Sequence, residues 1–80
     1  MTDTLESLSA ELDALPPASQ TMYATDAAVE RHTAFVRRVA AVVRMEVGND
    51  RIAVGYRLLE RAQYIPWNCW NQEGDEPYGA

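Results

Sequence analysis

Eighty residues, 48% hydrophobic and 24% charged, describe one small globular domain rather than a disordered or multidomain chain. A single cysteine, Cys69, excludes an intrachain disulfide, and with one histidine, His32, it makes no metal-ligand pattern. The net charge of −5 is unevenly laid out: all seven cations are arginines between Arg31 and Arg61, in a segment of +4, while residues 1–30 carry −6 and residues 62–80 carry −3.

The first predicted helix covers about residues 4–15. Asp3 and Glu6, three apart, are placed to form a capping box, with aspartate in the usual Ser/Thr position. Leu5, Leu8, Leu12 and Leu15 are spaced 3-4-3, a narrow apolar seam of coiled-coil type. Pro16-Pro17 ends the helix, because the residue before a proline is pushed out of the α region. A helix this short does not stand alone, so the seam is expected to pack on the next helix or on a second copy.

Residues 16–24 read as a connector, and Thr25 as an N-cap with Asp26 favourable in the first turn. The second helix is predicted over 26–47. Its apolar stripe, including Val29, Phe35, Val36, Val39, Val43 and Val47, is wide enough to face two neighbours. Gly48-Asn49 supplies a turn, Asp50 a cap, and the third helix is predicted over 51–64. Its inner face is read as Ile52, Gly55, Tyr56, Leu59 and Ala62, flanked by Val54 and Leu58. Ala53, Arg57, Glu60, Arg61 and Tyr64 make the outer face. Pro66 stops the helix. Trp67, Cys69 and Trp70 follow, and then an acidic stretch from residue 72 that is expected to be mobile. The fold predicted is all-α: a three-helix bundle over 1–71, with a flexible acidic tail over 72–80.

An acidic chain with a basic middle must pair that middle with its own flanks or present it to a partner. Arg31, Arg37, Arg38 and Arg44 border a strip of the second helix that contains Ala34 and Ala41. None has a carboxylate three or four residues away, so the usual intrahelical pair is unavailable. They form a candidate docking face, with pairing to Glu6, Glu11 or Asp13 of the first helix, or plain solvation, as the competing outcome. In the aromatic segment, Trp67 is expected to seal the core and Trp70 to anchor a partner. His32 borders the apolar stripe and is read as a core or boundary histidine with a satisfied ring nitrogen. Glu73, Asp75 and Glu76 lack the spacing of a calcium loop and read as a solvated tail.

No Walker loop, dinucleotide fingerprint, nucleophile elbow or zinc motif is present, so neither catalysis nor a cofactor is expected. A single core of this size yields only ~3–5 kcal/mol, which makes association with a protein partner or a second copy a route to further stability. The expected function is therefore non-catalytic protein–protein binding, as a regulator or accessory subunit of a larger assembly, with Leu5, Leu8, Leu12 and Leu15 as the oligomer seam. A DNA-binding helix-turn-helix is the alternative, from the order helix, glycine turn, helix. It ranks lower because the reading helix would open with only Asp50 and Arg51 as polar groups, and a net −5 opposes phosphate. The acidic N-terminus and the lone thiol predict a cytoplasmic protein, and no apolar run approaches the roughly 18 residues of a membrane span. Arginine without lysine, beside abundant alanine and valine, fits a GC-rich genome such as that of an actinobacterium or its phage.

Overall fold

A computed structural model describes residues 2–17, 23–72 and 74–75. Three helices, α1 (Leu5–Asp13), α2 (Asp26–Met45) and α3 (Asn49–Tyr64), are followed by a 3-10 turn over Trp67–Trp70. No strand occurs among the described residues. Part of the predicted connector, residues 18–22, lies outside them.

The helix ends follow local chemistry, with small shifts from those expected. Thr4 rather than Asp3 caps α1: its hydroxyl accepts from the Ser7 amide at 3.0 Å, and Ser7 returns the favour to the Thr4 amide at 2.9 Å. Asp3 is drawn away to Arg38 on α2. Thr25 caps α2 as predicted, accepting from the Ala28 amide at 3.0 Å. The helix stops at Met45 rather than near residue 47, since Glu46 turns extended and its carboxylate takes Arg51. Gly48, at φ +96, then makes a left-handed step that favours glycine, and it rather than Asp50 stands at the N-cap of α3. Asp50 instead sits in the first turn, where a carboxylate complements the helix dipole.

The leucine seam closes inside one chain. Leu5, Leu8 and Leu12 are 1%, 0% and 2% exposed, packed in one core with Ala28, Phe35, Val39, Val43, Leu58 and Ala62, while Leu15 is half-buried at its edge. The surface expected to join two copies is consumed by α2 and α3, because two heptads of leucine are just enough to roof the hairpin beneath them.

That hairpin is antiparallel along its length. Near the turn, Gly55 lies so close to Val43 that a Cβ on residue 55 would fall 2.7 Å from a Val43 methyl. At the other end, His32 Nε2 meets the Ala62 carbonyl at 3.0 Å, and since a carbonyl only accepts, the ring proton sits on Nε2. The Gly55 contact fixes the rotation of α3: Gly55, Leu58 and Ala62 become its buried line, with Ile52 and Leu59 at the margin. Tyr56, expected inside, is 60% exposed, one shoulder away from that line.

Candidate functional site

Pairing within the chain sorts the arginines. Arg38 spans two carboxylates, donating from Nε and Nη2 to Asp3 and from Nη1 and Nη2 to Glu11, at 2.7–3.0 Å. Arg51 repeats this design between Glu6 and Glu46, and Arg61 holds Asp13. The hydrogen bonds from Arg38 and Arg51 hold the Asp3 and Glu6 carboxyls below their ordinary pKa. Arg31 donates to the Trp70 carbonyl and, through both terminal nitrogens, to Asp75 at 2.8 Å. Two of the predicted docking arginines, Arg31 and Arg38, are thus held internally, because their seven-residue spacing aims both at the side of α2 that faces α1 and the C-terminal segment. Arg37 and Arg44, with Arg57 on α3, have no carboxylate partner among the described residues.

Asp75 builds a clasp that sequence reasoning missed. It accepts from Arg31, from the Thr25 hydroxyl at 3.0 Å and from the Gln72 amide at 2.9 Å, and its side chain is only 9% exposed. The Asp75 amide returns to the Gln72 carbonyl, closing a turn in which Gly74 takes φ +92. Asn71 adds a second tie, accepting from the Thr25 amide and donating to the Tyr23 carbonyl, both at 2.9 Å. Arg31 above all, then the Gln72 amide, holds the Asp75 carboxyl well below the usual carboxylate range, against the opposing effect of desolvation. The expected boundary of a free tail at residue 72 therefore falls inside a fastened segment. Glu73 and Glu76, the other members of the acidic group, lie outside the described residues. Gly74, directly before Asp75 and three residues after Asn71, was the available signal.

The clasp reverses the roles foreseen for the two tryptophans. It folds the 3-10 turn back onto α2, and residues three apart in such a turn eclipse, so both indoles face His32, at centroid distances of 6.1 Å for Trp67 and 6.0 Å for Trp70. Trp70 continues inward to Phe35 at 5.1 Å and is 9% exposed. Trp67, expected to be the buried one, is 53% exposed. Beyond Pro66 the chain turns back, so Trp70, the residue farther along and nearer the acidic stretch, is the one carried into the core. Cys69, between them, is buried as a free thiol.

Trp67 forms a ridge between two shallow hollows. One, of about 550 Å³, is walled by Tyr23, Ala24, Asp26, Val29 and Glu30. The other, of about 420 Å³, is walled by His32, Thr33, Val36, Arg37 and Gln63. Of the five side chains read as partner-binding, only Arg37 and Arg44 remain on open surface, and Arg37 stands beside this ridge. Among the described residues no group of three or more His, Cys, Asp and Glu side chains could hold a metal, and no helix is long and apolar enough to cross a membrane. No family model, curated protein or solved structure matches the chain.

Proposed function

We propose that this chain is a non-catalytic protein-binding module, a regulator or accessory subunit, that docks through the Trp67 ridge and the neighbouring edge of α2. The observation that carries this reading is Trp67 itself: a half-exposed indole, braced against His32 and flanked by two hollows. Large amphipathic side chains held rigid at the surface are the residues that most often anchor protein interfaces. Arg37 beside it supplies a cation without a counter-ion among the described residues. Aromatic and arginine side chains together are what interface cores enrich. The unpaired, buried Cys69 suits a reducing cytoplasm.

The antiparallel packing of α2 on α3 weighs against the DNA-binding alternative, since helix-turn-helix pairs meet at roughly 90–120°. Arg51, the cation that would open the reading helix, is engaged by Glu6 and Glu46. The test is capture from a lysate of the source organism with the wild-type chain and with Trp67→Ala as baits. A retained protein that is lost with Trp67→Ala, while that variant still unfolds in one cooperative transition above the assay temperature, is the expected result, with a loss of ~2 kcal/mol or more in binding. Retention of duplex DNA at physiological salt, or identical captures by both baits, would refute the proposal.

A further inference from the structure

We infer that the outer strip of α2 is covered by a second copy of this chain, lying antiparallel across a two-fold axis. The inference rests on the reading of the Trp67 side as a protein interface and names its occupant.

Helical spacing aligns Asp26, Glu30, Thr33, Arg37 and Arg44 on the side of α2 turned away from the core, and all five are exposed. The four charged members have no ion-pair partner among the described residues, although every other arginine of α2 is paired. The acids occupy the first half of the strip and the arginines the second half. A helix dipole accounts for Asp26 in the first turn and Arg44 in the last. It does not account for Glu30 and Arg37, because its influence fades within one turn of each end.

Such a polarity is self-complementary under two-fold symmetry, in which each residue meets the one that meets it in return. An axis passing by Thr33 and Ala34 sets Glu30 opposite Arg37 of the second copy. Asp26 then lies three residues, ~4.5 Å along the axis, from the point opposite Arg44, within reach of a guanidinium. Each contact occurs twice. Small side chains at Thr33 and Ala34 leave room for the two backbones to approach at the centre. Trp67 adjoins the strip at this level, since its two hollows are walled by Glu30 on one side and by Thr33 and Arg37 on the other. The axis therefore brings both indoles beside the centre of the interface, on the same side. A parallel neighbour would instead set acid against acid and arginine against arginine.

Sedimentation velocity on the full chain tests this. A dimer should form in the micromolar range and weaken as salt is raised. Glu30→Arg and Arg37→Glu should each weaken self-association on the order of tenfold, because each sets like charges face to face at two symmetric positions. Mixing these two variants in equal amounts should restore the dimer, since the arginine introduced at 30 then meets the glutamate introduced at 37 while native Arg37 meets native Glu30. Circular dichroism spectra matching wild type, with matching melts at concentrations below those at which wild type dimerises, exclude misfolding as the cause. A monomer throughout the micromolar range, or a mixture that stays monomeric, overturns the inference. A monomer whose lysate partner still depends on Trp67 overturns the self-pairing alone; a chain that neither self-associates nor captures anything through Trp67 overturns both readings.

Discussion

Replacing each tryptophan by alanine should split the pair sharply. Trp70 is 9% exposed and touches Phe35 and His32, so its removal deletes almost a whole buried indole. At roughly 25 cal/mol per Å² over the ~150–250 Å² that an aromatic residue buries, the transfer loss alone is ~4–6 kcal/mol as an upper bound, and tryptophan-to-alanine changes in cores cost ~3–5 kcal/mol. Trp67, 53% exposed, forfeits about half that area and leaves no closed cavity, so ~2–3 kcal/mol is the upper bound for its loss. A domain of this size has only ~4–12 kcal/mol of total stability, so Trp70→Ala should bring it close to unfolding while Trp67→Ala should not. Urea titration with a check that the slope is unchanged measures both losses. Fluorescence supplies a second measure: Trp67→Phe should leave a blue-shifted emission from Trp70, and Trp70→Phe an emission near that of solvated indole. Equal losses, or a larger one for Trp67→Ala, would refute the assignment of Trp70 to the core and of Trp67 to the surface.

Leu8 is 0% exposed, so Leu8→Ala should cost ~2–5 kcal/mol in the same titration, and a loss below ~1 kcal/mol would make α1 peripheral. Gly55→Ala should gain ~1 kcal/mol in helix propensity but lose ~1–3 kcal/mol to overpacking against Val43, for a net loss. In a Val43→Ala background the same change should stabilise, and a stabilised single variant would show that Val43 moves aside freely. Because Asp75 has a depressed native pKa, its contribution to stability should be whole above the ordinary aspartate pKa, decline below it, and be gone once pH has fallen through the native value. A carbon NMR titration of the Asp75 carboxyl with an ordinary aspartate midpoint would disprove the clasp, as would an Asp75→Asn melt matching wild type at neutral pH.

Local signals in the sequence located the helices well, and long-range ones located their faces less well. The 3-4-3 leucines, the Thr25 cap, the Gly48 turn and Pro66 each act within a turn or two of chain, and each marks an element that is present. The rotation of α3 was harder to foresee, because it is set by Gly55 meeting Val43 across the hairpin rather than by the pattern of α3 alone. The arginine block gave a real choice between internal pairing and display. Geometry divides it: Arg31, Arg38, Arg51 and Arg61 take carboxylates 5 to 48 residues away in sequence, and Arg37, Arg44 and Arg57 take none among the described residues. Of the candidate site, Arg37 and Arg44 were legible. Trp67 was assigned to the wrong side because its exposure depends on Asp75 meeting Arg31, a contact 44 residues apart that no periodicity encodes.

The forked guanidinium groups of Arg38 and Arg51 make the chain's tolerance of drift lopsided. Losing one carboxylate from either cluster leaves a simple ion pair on the surface, a change of small consequence. Losing the arginine leaves two carboxylates facing each other with no counter-ion. Lysine cannot stand in, for a compact ammonium does not present two pairs of parallel donors to two carboxylates at once. A genome poor in lysine codons would supply arginine at these positions by mutation pressure alone, and the clusters would then keep it there by selection. The absence of lysine from the whole chain can thus begin as an accident of base composition and end, at two positions, as a requirement of the fold.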